Sequence, residues 1–310
     1  EHPLVSVVLV NYKGVDDTLA AIEALGQLDW PADQLEIVVV DNASGDGSVP
    51  TLQSSGHNIT LVESDQNLGF AGGCNLGVQN ASGEVVAFLN NDAKPDAGWL
   101  RHGVAALHGS PRVGAVASRV LDWEGRHIDY AGAGLTWYGM GYRPLSGHPA
   151  SRKKEQGAGP VLFGTGSAML VRRDVFDQLG GFDEDFFMFF EDVDFGWRLN
   201  LAGWVFHYEP ESLVFHKHHQ SMTDIGNHKE EFLLERNALA CLYKNLGEEK
   251  LRTILPAAML MSTRRAVSRT GLDTTSFDIR RDDPVPNPVD PLALVPLFAH
   301  DQFLEMLPGL

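Results

Sequence analysis

The 310-residue chain is poor in cysteine, in basic charge and in long apolar runs, and each shortage removes a class of protein. Its two cysteines, Cys74 and Cys241, lie far apart in unlike contexts. That excludes a disulfide framework and a cysteine metal knuckle, and it points to a reducing, cytoplasmic compartment. Lys and Arg number 24 against 41 Asp and Glu, a formal charge of -17, so no nucleic-acid partner is expected and charge alone disfavours an anionic membrane. A polyanionic ligand then needs local help, such as a metal ion. No apolar stretch approaches the roughly 20 residues of a membrane span. The longest candidate, Ile254 to Met261, carries Pro256 and is soon followed by Arg264 and Arg265. It leaves open a peripheral contact at the inner face of a membrane, beside the alternative of packing on the main domain. Glu1-His2-Pro3 runs directly into a strand-like segment, so no leader peptide is expected. Two familiar phosphate loops are missing as well. The turn after the first apolar run reads Asn11-Tyr12-Lys13-Gly14-Val15, without G-x-G-x-x-G. Gly69-Phe70-Ala71-Gly72-Gly73-Cys74 lacks the lysine and hydroxyl of a nucleotide-hydrolase loop, so its glycines serve either close backbone approach to a ligand or helix packing.

What is present is an alternation. Val5 to Val10 is an almost unbroken apolar run, as in a strand buried on both faces of a parallel sheet, and Val15, Leu19, Ile22 and Leu25 then recur at helical spacing. Leu35 to Val40 predicts a second strand stopping at Asp41, Ile59 to Val62 a short third, Gly69 to Gln79 a helix, and Glu84 to Leu89 a fourth strand ending at Asn90. Such alternation implies an α/β fold with an open, mostly parallel sheet flanked by helices. These sheets hold ligands at the carboxyl ends of their strands. At those ends stand Asn11 and Tyr12, Asp41 and Asn42, Asn67, and Asn90-Asn91-Asp92. Further on, Gly98 to His108 predicts a helix, Gly114 to Val120 a strand, and Asp122 to Gly159 a loop-rich insertion over the rim. Val161 to Arg172 reads as a strand interrupted by Gly164-Thr165-Gly166-Ser167. Two helices are expected about Glu231 to Asn245 and Lys250 to Ser268, and the Pro- and Asp-rich segment from Asp273 reads as irregular.

Three groups of residues carry possible chemistry. Glu191, Asp192 and Asp194 follow the aromatic run Phe186-Phe187-Met188-Phe189-Phe190. Carboxylates against that much apolar surface are costly without partners or work, although acids are also favoured in the first turn of a helix. The spacing of Val193, Trp197, Leu199 and Ala202 predicts such a helix, with Gly203 as its stop. Asn90-Asn91-Asp92 reads either as a polar turn or as a hard-cation site completed by diphosphate oxygens. His216 is a candidate second ligand that suits Mn better than Mg; otherwise it belongs to a surface cluster with His218 and His219. Lys217 stands ready to contact phosphate directly.

Taken in order, five segments resemble the family-2 inverting glycosyltransferases of the GT-A fold, particularly the rhamnosyltransferase-like branch. They are Asp41-Asn-Ala-Ser44, Asn67-Leu-Gly69-Phe70-Ala-Gly-Gly-Cys-Asn75, Leu-Asn90-Asn91-Asp92, Gly180-Gly-Phe-Asp183-Glu184 and Phe190-Glu191-Asp192-Val-Asp194-Phe-Gly-Trp197-Arg198. The resemblance implies a GT-A nucleotide-sugar-binding and catalytic domain over residues 1–225, a C-terminal helical extension over 226–270 and an irregular tail over 271–310. It implies that Asp41 binds the nucleobase, with Val10 and Tyr12 lining the same pocket, Asn67 and Gly69 near it, and Asn91 and Gly166 as further donor contacts. Asp92 stands in the family's D-x-D motif and, with His216, would hold a divalent cation, Mn or Mg. An asparagine occupies the first acidic place, so metal affinity without nucleotide is expected to be weak. Asp192 corresponds to the catalytic base, ionised and with no strongly raised pKa, and Glu191 to its acceptor-side or orienting partner. The implied reaction is a single displacement from a dTDP-, UDP- or GDP-sugar to a saccharide or lipid-linked acceptor, in building a bacterial surface polysaccharide. Two other classes are weighed. A sugar nucleotidyltransferase should carry a glycine-rich loop near the N-terminus, which is missing; a noncatalytic sugar-binding module has no need of the Glu191-Asp192 pair. The abrupt stop at Leu310 leaves room for further domains.

Overall fold

The computed structural model describes residues 2–151, 157–217, 227–270 and 290–310. They fall into two compact units, residues 1–134 with 141–221, and residues 135–140 with 222–310.

The first unit is built on apolar strands. β1 (Val5–Asn11), β2 (Leu35–Asp41), β3 (Thr60–Glu63) and β4 (Val85–Leu89) are parallel neighbours in the order β4-β1-β2-β3. Helices α1 (Val15–Leu25), α2 (Ser48–Ser54) and α3 (Gly69–Gln79) connect them. Val5, Val7, Val8, Val38, Val39 and the whole of β4 are buried, which is why these segments read as continuous apolar runs rather than alternating ones. The glycines of α3 serve packing: a Cβ on Gly77 would stand 2.4 Å from Val8 Cγ1. Pairing of β1 with β2 runs in register from Val5↔Leu35 to Asn11↔Asp41, so those two polar residues end side by side.

The sheet continues through β5 (Ala93–Pro95), α4 (Trp99–His108), β6 (Val113–Asp122) and β7 (Ile128–Tyr130). Two two-residue strands, β8 (Gly134–Leu135) and β9 (Gly141–Tyr142), flank the excursion of the chain into the second unit. β10 (Gly159–Val161), β11 (Ala168–Arg172), α5 (Arg173–Gln178), α6 (Glu191–Leu201) and β12 (Val205–His216) follow. The ten-stranded order is β10-β12-β6-β11-β4-β1-β2-β3, with β5 on β12 and β7 on β6. The expected interrupted strand over 161–172 is two strands, because residues 162–167 form the loop between them. β12 pairs antiparallel with β5, His216 opposite Ala93, and this brings the turn at Asn90–Asp92 against the end of β12.

The second unit holds α7 (Asn227–Asn245), α8 (Glu248–Thr270) and α9 (Pro291–Met306). Leu239, Cys241, Leu242, Ala258, Val295 and Phe303 are among its buried residues, and Arg265 donates to both carboxylate oxygens of Glu235 at 2.7 and 2.5 Å. The segment Ile254–Met261 lies within α8. The expectation of an irregular tail over 271–310 is overturned for its described part. Asp290 caps α9 by accepting from the Leu292 N–H at 2.8 Å, and Pro291 sits in the first turn, where its missing N–H costs nothing. The prolines at 284, 286 and 288 lie outside the described residues. No described helix is long and apolar enough to cross a membrane.

Helix α6 is fixed by an internal ion pair. Asp194 is fully buried and its Oδ2 accepts from Arg198 Nε at 2.7 Å, while Arg198 also donates to the carbonyls of Leu179 and Gly181 at 2.7 and 2.9 Å. Asp194 is thus a structural acid. Asp194→Ala leaves the guanidinium without its carboxylate and should lower unfolding free energy by about 3–5 kcal/mol, read from urea titrations.

Candidate active site

Four strand ends of the first unit form one rim. Asn11 Nδ2 donates to Asp41 Oδ1 at 2.7 Å and to Ser44 Oγ at 3.1 Å, and the Ser44 N–H donates to Asp41 Oδ2 at 3.1 Å. Asp41 is therefore held rigidly in a buried position, while Tyr12 beside it is 42% exposed and Val10 is half-buried. Thr18 Oγ1 donates to Asn11 Oδ1 at 2.8 Å and accepts from Asn91 Nδ2 at 3.2 Å, tying the end of β4 to that of β1. On the other side Asn42 Nδ2 donates to Asn67 Oδ1 at 3.0 Å and to the Gly69 carbonyl at 2.9 Å. Asn11 and Asn42 organise the rim. Their place at strand ends was visible, but a lone asparagine there reads as a turn residue.

Gly69 is constrained from across the site. It adopts φ +69, and a Cβ there would stand 2.2 Å from the Phe187 carbonyl oxygen, which accepts from the Ala71 N–H at 3.1 Å. The aromatic run itself is strained. Phe187, Phe189 and Phe190 have φ of 64, 65 and 69, and the Met188 N–H closes a tight turn onto the Phe186 carbonyl at 2.7 Å. Such conformations cost on the order of 1–3 kcal/mol each and persist where surroundings dictate them.

That run delivers Glu191 and Asp192 at the N-terminus of α6. Asp192 is half-buried; its Oδ2 accepts from the Gly166 N–H at 2.9 Å and its Oδ1 from the Val193 N–H at 2.8 Å. Gly166, expected at the donor, thus has its N–H on the acid. A Cβ there would also stand 2.8 Å from Phe70 Cε1. Glu191 is 5% exposed, and its Oε2 has no hydrogen-bond partner among the described residues. Burial, reinforced by the charge of Asp192, pushes Glu191 well above the ordinary carboxylate range. Burial also raises Asp192, against the opposing pull of the Gly166 and Val193 N–H groups and of Arg143. The strongly raised member of the pair is Glu191, and the two acids share a desolvated site.

The second focus is His216. Its Nε2 lies 3.1 Å from Asp92 Oδ1 and 3.2 Å from Asn90 Nδ2, and its Nδ1 lies 3.1 Å from Asp129 Oδ2. Arg143 Nη1 donates to Asp129 Oδ1 at 2.5 Å. Burial disfavours a charged imidazole, but the hydrogen bonds to Asp129 and Asp92 outweigh it and raise the pKa to about 9. Lys217 is paired with Asp17 in the first turn of α1, and its N–H donates to the Asp92 carbonyl. Neither Asp129 nor Arg143 was anticipated.

These residues fit a divalent cation. Neighbouring ligands at right angles on a six-coordinate ion with bonds near 2.1 Å stand about 3 Å apart, and Asp92 Oδ1 and His216 Nε2 are separated by 3.1 Å. No group of three or more His, Cys, Asp or Glu among the described residues makes a fuller cage. The pair suits an ion that takes its remaining ligands from elsewhere.

Fold and site together define a GT-A glycosyltransferase. A mannosyltransferase from Pyrobaculum calidifontis, solved with GDP-Man and Mn2+, aligns over 98% of this chain and 88% of its own with a TM-score of 0.60 at 18% identity. GalNAc-T7, solved with UDP, GalNAc and Mn2+, aligns over 100% and 57% with a TM-score of 0.64 at 15% identity. Residues 6–180 match the glycosyl transferase family 2 model, and the chain belongs to that family. The N-acetylglucosaminyl-diphospho-decaprenol L-rhamnosyltransferase of Mycobacterium tuberculosis is 30% identical over 224 residues, 63% of this chain and 70% of that protein. The low-salt glycan biosynthesis hexosyltransferase Agl10 of Haloferax volcanii is 30% identical over 198 residues, 62% and 60% respectively.

The buried Glu191 carries a pH signature. Its native pKa lies above the unfolded value near 4.5, so the native state holds more protons than the unfolded one in the window above that value. The contribution of Glu191 to stability is therefore fully present below that value and is lost as pH rises through the native pKa. Glu191→Gln should flatten this slope in melting curves between pH 4 and 8; an unchanged slope would place the ionisation elsewhere.

Proposed function

We propose that the protein is a metal-dependent inverting glycosyltransferase that moves a sugar, by single displacement, from a nucleotide-diphosphate sugar to a saccharide or lipid-linked acceptor. The observation that carries the reading is the 3.1 Å approach of Asp92 Oδ1 to His216 Nε2, in the same compact unit as the backbone-held carboxylate of Asp192. The relative that transfers L-rhamnose to a decaprenol-linked acceptor favours a nucleotide-diphosphate rhamnose as donor and a lipid-linked saccharide as acceptor. An acceptor of that kind favours work at the inner face of a membrane, in building a surface polysaccharide.

Asp41, fixed by Asn11 and Ser44, presents the acceptor edge for the nucleobase, and exposed Tyr12 offers a ring for its face. Val10, Asn67 and Gly69 shape the same rim, and Asn91 reaches towards the donor from the end of β4. Gly166 serves the donor side indirectly, by holding Asp192. Asp92 and His216 hold the divalent cation, Mn2+ or Mg2+, which when bound supplies positive charge to the departing diphosphate. Asp192 accepts the proton of the acceptor hydroxyl as that oxygen attacks the anomeric carbon from the side opposite the diphosphate. Burial raises its pKa from the ordinary aspartate value, and a more basic carboxylate holds the proton more readily. Glu191, lying behind Asp192, orients it and keeps the pair desolvated.

Asp192→Asn should lower kcat by about 10²–10⁴-fold while nucleotide binding survives; turnover close to wild type would remove Asp192 from the base role. Asp92→Ala should abolish the Mn2+ dependence of nucleotide binding in calorimetry, and affinity that still rises with Mn2+ would mean that the cation is held by other residues.

A further inference from the structure

We infer that Asp129 is a positioning residue for the metal ligand His216: a β-bulge turns its carboxylate onto the imidazole Nδ1 and leaves Nε2 presented beside Asp92. The inference rests on the metal-dependent reading above and adds a residue from the insertion between β6 and β11.

The bulge is explicit in the pairing. On β7, Tyr130 pairs with Val120 and Ile128 with Leu121, so Asp129 is the extra residue that faces no partner on β6. Bulges re-aim a side chain that a regular ladder would direct elsewhere. The residues on either side are pinned. The Tyr130 hydroxyl donates to the Phe163 carbonyl at 2.6 Å, and the Ile128 backbone exchanges bonds with His148 and Gly147 at 2.8 Å. Asp129 itself is 8% exposed, and its two oxygens face different partners, Arg143 Nη1 and His216 Nδ1. A desolvated carboxylate is costly unless it is paired and hydrogen-bonded, and here the guanidinium supplies the pairing. The imidazole then has one nitrogen committed. With Nδ1–H donating to Asp129, the lone pair of a neutral ring falls on Nε2, the nitrogen 3.1 Å from Asp92. Carboxylate partners of this kind orient ligating histidines and raise their basicity. Arg143 couples the arrangement to the base, since its charge also acts on Asp192.

The test measures Mn2+ binding by calorimetry in the presence of dTDP, UDP and GDP in turn, on the full chain. Wild type is compared with Asp129→Asn, Asp129→Ala, Asp92→Ala and His216→Ala. Asp129→Ala should weaken Mn2+ about 10–100-fold, and Asp129→Asn, which keeps an oxygen for Nδ1–H, should weaken it less. In the Mg2+-loaded protein, ¹⁵N spectra of His216 should show one tautomer with Nδ1 protonated in wild type and a mixture in Asp129→Ala. If Asp92→Ala and His216→Ala weaken Mn2+ but both Asp129 variants bind it like wild type with an unchanged tautomer, Asp129 is only the partner of Arg143 and the inference falls. If neither Asp92→Ala nor His216→Ala affects Mn2+, the metal reading fails first. Should Asp129→Ala not fold, Asp129→Asn decides by the same two measurements.

Discussion

The contact between Gly69 and the Phe187 carbonyl fixes how the two sides of the site meet. Gly69 opens α3 on the donor rim, and Phe187 stands in the run that leads to Asp192. Their backbones approach so closely that no Cβ fits, and the Ala71 N–H seals the contact at 3.1 Å. A helix that begins in the left-handed region needs a residue without a Cβ penalty, and a tight aromatic turn needs an anchor outside itself. Each requirement is met by the other segment. The position of Asp192 relative to the strand-end rim is thus set by backbone, which does not relax as side chains do.

Around that fixed frame stand Asp92, Asp129, Glu191 and Asp192, buried or half-buried, and each is treated differently. Asp92 faces a histidine, Asp129 a histidine and an arginine, Asp192 two backbone N–H groups, and Glu191 has one oxygen without a hydrogen-bond partner among the described residues. The differences follow from what ionisation costs at each place. A carboxylate held by N–H groups or a guanidinium keeps its charge, while one without them drifts towards the neutral acid. Grouping Glu191 with Asp192 therefore gives a pair with unequal members. One is open and hydrogen-bonded, able to take a proton; the other is enclosed and acts on its neighbour.

How much of this was legible in the sequence depends on the range over which each feature is determined. β1, β2 and β4 are buried on both faces, so their apolar runs announce them, and parallel pairing then obliges Asn11, Asp41 and Asn91 to gather at one end. The acids at Glu191 and Asp192 were visible because charge beside five consecutive bulky residues is costly. Asp129 gives no such signal: it sits in a three-residue strand, and its direction comes from a bulge that only the pairing with β6 creates. Arg143 depends on it in turn. The large upward shift at Glu191 has no signature in the sequence because desolvation is a property of the packed site. The misjudged C-terminal segment has a different cause, since the proline density that argued against helix includes Pro291 at a position where proline starts one.

The family match ends at residue 180, before Asp192 on α6 and His216 on β12. The matched part holds the strand ends proposed to read a nucleotide. Residues beyond it include the proposed base and the proposed second metal donor, and both are positioned by elements with little periodic signature: a strained aromatic turn and the pairing of β12 with β5. Single displacement requires the base to lie opposite the departing diphosphate. That relation cannot come from the donor rim alone, because it must place acceptor and metal on opposite sides of one carbon. Asp129 lies within the matched span, and its proposed part is to hold that histidine from the insertion rather than from the strand ends.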